Sequence, residues 1–198
     1  MPQTLRTFVA IPLSESVSQA LGRLQRTLRT TCPARAVRWV TIENIHLTTH
    51  FLGDTLPDRV EPITEALSVV ARNVPPFEFS AGKLGAFPNL RRPRVIWVGV
   101  ADTTSWLALL HEVVSESLER LGIPRDRRPF SPHLTLGRIR RQASPEDARD
   151  VGKALTVTEA GTLGTVPVET IILFKSVLRP SGAEYSRLAT LPLGKNGA

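Results

Sequence analysis

The sequence predicts a fold of mixed strands and helices arranged as two pseudo-symmetric lobes that face each other across a cleft. Three observations lead there. The tripeptide His-Leu-Thr occurs twice, at His46-Leu47-Thr48 and His133-Leu134-Thr135, 87 residues apart, and takes up two of the four histidines. With ordinary Leu and Thr usage, a given His is followed by Leu and then Thr only about one time in a hundred, so two such events are not an accident of composition. The order of elements around the first copy recurs around the second at the same offset. Finally, 198 residues that are 41% hydrophobic and 22% charged are enough to bury a substantial core and contain no biased tract.

Residues 6–12 contain the apolar, β-branched stretch TFVAI and read as a strand. Ser14 is placed to cap a helix over about 14–30, in which Val17, Leu21, Leu24 and Leu28 recur at helical spacing. Short strands are expected over 37–40 and 45–52, then a helix over about 58–72 with Pro62 in its first turn, then a strand over 77–84. The order starts again with a strand over 94–100, a helix over about 105–121, the second His-Leu-Thr, a polar helix over about 145–155 and a strand over 168–176. Strand 6–12 maps on 94–100 and helix 14–30 on 105–121. This predicts one domain, 1–198, built by internal duplication of about 1–90 and 91–198. A turn at Pro180-Ser181-Gly182 leads to a closing strand over 185–191, and the tail from Lys195 to Ala198 is expected to fray.

A single cysteine, Cys32, rules out an internal disulfide framework, and no leader-like segment is expected, so the setting is read as cytoplasmic. No apolar run approaches the roughly 20 residues that cross a bilayer. A formal charge of +7, with basic residues that are almost all arginine and include clusters at Arg91, Arg92 and Arg94, at Arg125, Arg127 and Arg128, and at Arg138, Arg140 and Arg141, favours an anionic partner, nucleic acid first. No long exposed apolar stripe calls for a second copy, so a monomer is expected.

Along a strand side chains alternate, so each motif sends its His and Thr to one face and its Leu into the core. Two motifs meeting at a cleft surround a small tetrahedral group with two imidazoles and two hydroxyls. One neutral and one protonated imidazole supply the base and the acid that in-line displacement at phosphorus requires, with hydroxyls on the non-bridging oxygens. No metal is needed. His46, Thr48 and His50 alternate onto one face of an ideal strand, but His46 and His50 would stand about 13 Å apart, too far to share an ion. His50 and His111 are read as ordinary satisfied histidines. The signatures HExxH, Cys-x-x-Cys, GxSxG, GxxxxGK[ST] and GxGxxG do not occur.

The two segments His46-Leu47-Thr48-Thr49 and His133-Leu134-Thr135-Leu136 resemble the paired His-x-Thr-x motifs of the 2H phosphoesterase superfamily. The stretches RTFVAIPL, VRWVTIENIHLTTHFLGD, FSPHLTLGRI and LFKS are similar to the LigT-like RNA 2′,3′-cyclic phosphodiesterases, also called the 2′-5′ RNA ligase family. The resemblance implies an α+β fold of two pseudo-symmetric lobes with mainly antiparallel sheets flanked by helices. It also implies opening of an RNA 2′,3′-cyclic phosphate to a 2′-phosphomonoester without metal or other cofactor. His46 is then the proton donor and His133 the proton acceptor, with Thr48, Thr135 and Arg138 binding the phosphate. Strict alternation turns Arg138 away from His133, so its role requires the strand to bend near Gly137. Trp39 and Phe130 are candidates for stacking on a base or for core packing. The chain departs from the family pattern at Thr49 and at His50, and His50 is in a position to perturb its neighbours or to contact a second phosphate.

Other readings share the motif. The reverse reaction would join the cyclic phosphate to a 5′-hydroxyl in a 2′-5′ linkage, although abundant water favours hydrolysis. A phosphodiesterase acting on small cyclic or 2′-5′ linked nucleotides uses the same groups. A basic RNA-binding module without turnover would bind RNA with a steep salt dependence.

Overall fold

The computed structural model describes residues 4–179 and 182–194, so most of the expected Pro180-Ser181-Gly182 turn and all of the tail lie outside the described residues. In chain order the elements are β1 (Leu5–Ile11), α1 (Glu15–Thr31), β2 (Val37–Trp39), β3 (Leu47–Thr55), α2 (Val60–Arg72), β4 (Phe77–Phe87), β5 (Val95–Ala101), α3 (Trp106–Arg120), β6 (His133–Ile139), α4 (Pro145–Val157), β7 (Thr162–Val168), β8 (Thr170–Arg179) and β9 (Gly182–Pro192). Single 3₁₀ turns at Ile42–Asn44 and Pro57–Arg59 lead into β3 and α2.

All strands pair antiparallel in one sheet of order β7-β4-β5-β6-β3-β1-β8-β9, with β2 added against β6. The order is mirrored about the β6/β3 junction, where Leu134 and Leu47 are the paired residues. This is the expected α+β architecture of two matching lobes, here sharing one continuous sheet. Neither lobe coincides with one half of the sequence. The half-sheet β3-β1-β8-β9 packs α2 and is joined by α3, whereas β6-β5-β4-β7 packs α1 and α4, so each lobe draws on both halves of the chain.

The helices form because their apolar stripes face the sheet. In α1, Val17, Leu21, Leu24 and Leu28 are all buried, the stripe the spacing predicts. Ser14 precedes α1 but does not cap it with its side chain; its hydroxyl meets that of Ser16. A true capping box stands at α4, where Ser144 and Asp147 exchange side-chain and backbone bonds. Leu47 and Leu134 are fully buried, as expected of the residues that anchor the two motifs. Strand β7 was not expected from the sequence. Its Gly164 and Pro167 suppress a strand pattern, and both are tolerated because β7 is the edge of the sheet.

Candidate active site

The junction of the lobes builds the site. Leu47 pairs with Leu134 in antiparallel register; that register carried one step either way would bring His46 toward Thr135 and Thr48 toward His133, all four on the face opposite the two leucines. In a continuing antiparallel ladder, such cross-strand neighbours lie about 5 Å apart at Cβ and diagonal pairs about 7–8 Å. The expected convergence of two imidazoles and two hydroxyls is compatible with this one residue pair.

Each motif strand carries a bulge one residue past its threonine. On β6, Thr135 pairs with Trp97 and Gly137 with Ile96, leaving Leu136 as the extra residue. Leu136 and Gly137 are both buried, and Arg138 is exposed, turned back to the side of His133 and Thr135. The bend that Arg138 requires is therefore present. Glycine is demanded there, since a Cβ at position 137 would come within 2.8 Å of Val37 Cγ1 and 3.3 Å of the Arg38 carbonyl. On β3, Thr48 pairs with Ala10 and His50 with Val9, leaving Thr49 as the extra residue, buried with its hydroxyl donating to the Val9 carbonyl at 3.2 Å.

That second bulge corrects the reading of His50 as a neighbour of His46 on one face. His50 is turned to the helix side, where its ring stacks on His111 of α3 at 4.3 Å. Ser115 Oγ donates to the His111 carbonyl at 2.8 Å, which leaves it to accept from His50 Nε2, also at 2.8 Å. His111 Nδ1 donates to the Thr49 carbonyl at 3.2 Å, and Phe130 stacks on the other side of the His111 ring at 3.9 Å. Phe130 packs against α3, while Trp39 packs on the core under the Arg29 guanidinium. Among the described residues, no three His, Cys, Asp or Glu side chains converge as a metal ligand set.

The two motif histidines sit in different surroundings. His46 stacks on Phe8 at 4.8 Å and meets Phe174 at 5.9 Å and the edge of Tyr185 at 5.2 Å. Burial in this aromatic cage pushes its pKa down to about 4, against a hydrogen bond to the Asn44 backbone that favours the charged form. Asn44 itself is held by its side-chain amide, which donates to the Ala183 carbonyl at 2.9 Å. His133 is only partly buried, with Phe87 edge-on at 4.9 Å. Its Nδ1 lies 2.7 Å from the Ser131 carbonyl. A carbonyl only accepts, so Nδ1 carries the hydrogen and Nε2 keeps its lone pair in the neutral ring. Burial lowers the His133 pKa most, the Ser131 bond opposes this, and the positive charge of Arg138 lowers it further.

Tyr185, Phe8, Phe174, Phe87 and Trp97 were not singled out by sequence reasoning. Tyr185 is the one tyrosine of the chain, and Phe174 lies inside the LFKS stretch. Burial raises the Tyr185 pKa, while the charges of Arg138 on β6 and Arg38 on β2 lower it.

A shared sheet with a His-Thr pair from each of two matching lobes defines a class of phosphoesterase, and the chain belongs to it: it is a member of the LigT like Phosphoesterase family, whose pattern matches twice, over residues 11–97 and 98–185. Among its relatives is the RNA 2′,3′-cyclic phosphodiesterase of Archaeoglobus fulgidus, 35% identical over 93% of this chain and 98% of the relative. Another, from Geobacillus stearothermophilus, is 32% identical over 94% of this chain, and the chain spans 56% of that relative's length. Among solved structures, TT0787 of Thermus thermophilus superposes with a TM-score of 0.80 at 27% identity, covering 98% of this chain and 100% of that one. E. coli LigT complexed with 3′-AMP gives 0.72 at 25% identity, over 96% and 99% of the respective chains.

Proposed function

We propose that this chain, like the relatives named RNA 2′,3′-cyclic phosphodiesterase, opens a 2′,3′-cyclic phosphate at an RNA end to a 2′-phosphomonoester, with His46 and His133 as acid and base. His133 Nε2 takes a proton from water, the water oxygen attacks phosphorus, the bond from phosphorus to O3′ breaks, and His46 protonates the departing O3′. Thr48 and Thr135 donate to the non-bridging oxygens, and Arg138 offsets the charge that builds on them. The observation that carries the reading is the antiparallel pairing of Leu47 with Leu134, which supports a diagonal placement of the two imidazoles with a hydroxyl beside each. The hydrogen bond from His133 Nδ1 to Ser131 supports the base assignment, because it leaves the Nε2 lone pair toward the cleft. A cytoplasmic setting, in which buried Cys32 stays a free thiol, fits the same reading.

The test is turnover of a short RNA ending in a 2′,3′-cyclic phosphate by the wild type, His46→Ala and His133→Ala. Each loss of an acid or a base is expected to cost about 10²–10⁴-fold in kcat while RNA binding persists. Wild-type binding without turnover contradicts the enzymatic reading and favours a binding module.

A further inference from the structure

We propose that an arginine-walled groove at the end of β6, distinct from the His-Thr site, binds the phosphodiester backbone of the RNA upstream of the reacting terminus; this rests on the cyclic phosphodiesterase reading above. The groove has a volume of about 1170 Å³ and runs between the 90–94 loop, the chain after β6 and the exposed side of α4. Its walls present Arg91, Arg92 and Arg94 on one side and Arg140, Arg141 and Arg149 on the other, and no carboxylate lines it. All six are exposed, and among the described residues none of their guanidiniums forms a salt bridge. Of the acids nearest in sequence, Asp147 caps α4, Asp150 pairs at 2.8 Å with Lys153, which also lines the groove, and exposed Glu146 forms no ion pair with the six arginines. A set of uncompensated cations around a cavity is unfavourable in isolation and attracts a polyanion.

A line of contacts leads from the groove toward the site. Leu90 and Arg91 line both it and a smaller cavity of about 600 Å³, which reaches Gly85 and Trp97. Trp97 pairs with Thr135, and its indole nitrogen is buried without a hydrogen-bond partner among the described residues. The loop is closed by a bond from Arg94 N to the Phe87 carbonyl at 2.7 Å, and the Phe87 ring abuts His133. From Thr135 to Ile139, which lines the groove, the strand advances about 13 Å, so an RNA directed along β6 from the phosphate site would pass Arg138 on its way to the groove. Guanidinium groups in a row suit successive phosphates, since each can donate two parallel bonds.

The experiment compares the wild type with the triple variant Arg92→Ala, Arg141→Ala, Arg149→Ala on two substrates, adenosine 2′,3′-cyclic phosphate and a short RNA with the same end. Expected is a KM for the RNA at least tenfold higher in the variant, with mononucleotide turnover within about twofold of wild type. The salt dependence of RNA binding, log Kd against log salt, falls by about 0.7 for each phosphate contact removed from a single strand. A control with equal charge removed at Arg23, Arg26 and Arg72 leaves the RNA KM near wild type. A second arm reads binding of a labelled RNA with an ordinary 3′-hydroxyl end by fluorescence anisotropy, and it needs no turnover. If the phosphodiesterase reading fails, no substrate turns over but this arm still decides the groove. Equal RNA affinity in wild type and triple variant overturns the proposal and leaves the groove to a different polyanion, such as an acidic protein segment.

Discussion

If His46 is the proton donor, it must arrive at the reaction protonated, and the free protein does not hold it so. With its pKa pushed down to about 4 by the aromatic cage, only about one molecule in a thousand carries the proton at pH 7, and adding it costs about 4 kcal/mol. An anionic phosphate about 4 Å from the imidazolium, at an effective dielectric near 20, returns about 4 kcal/mol. The ligand therefore brings the proton in, and the bound His46 titrates near neutrality. Binding of a nucleoside 2′-phosphate at pH 6.5 should take up most of one proton. Titration calorimetry in two buffers of different ionisation enthalpy reads this directly. The ligand's own phosphate ionises near pH 6, so the quantity that counts is the difference between the wild type and His46→Gln. Equal proton uptake in the two proteins would refute the donor assignment.

Further outcomes follow from other parts of the site. His50 has its pKa pushed down to about 3, chiefly by burial and then by the neighbouring His111. The unfolded chain holds that proton below about 6.5, so stability is full above 6.5 and drains as pH falls toward 3, by about 2 kcal/mol at pH 5. His50→Gln should lose about 2 kcal/mol less than wild type between pH 7.5 and 5 in urea unfolding; equal losses contradict the helix-side placement. Arg138→Ala removes a charge that lowers the His133 pKa. The acid limb of the kcat/KM profile should move to higher pH, and kcat/KM should fall about ten- to a hundredfold through the lost charge-assisted bond; an unmoved limb argues against contact. Gly137→Ala forces a Cβ against Val37 and Trp39 and should cost about 1–3 kcal/mol, read as a lower Tm.

The sequence announced the parts of this site that are local and repeated. His46, Leu47, Thr48 and their second copies follow from the tripeptide, and the apolar stripe of α1 follows from Val17, Leu21, Leu24 and Leu28. What pairing decides was not legible. The extra residues Thr49 and Leu136 exist only relative to Ala10, Val9, Ile96 and Trp97 on neighbouring strands, and they alone turn His50 away from the cleft and Arg138 toward it. The cage around His46 assembles Phe8 of β1 with Phe174 and Tyr185 of the consecutive strands β8 and β9, which are distant in sequence from the motif. The exchange of elements between lobes escaped for the same reason, since a repeated order of elements says nothing about which copy of a strand pairs with which.

In the proposed reaction, two histidines break the bond from phosphorus to O3′. The measurement that tests it most directly is the identity of the terminus formed from a short RNA with a 2′,3′-cyclic phosphate, resolved by phosphorus NMR or by chromatography against both isomers. A 2′-phosphomonoester that disappears with either His46→Ala or His133→Ala is the predicted result. A 3′-phosphomonoester, or 2′-phosphomonoester formed equally by the two variants, would contradict it.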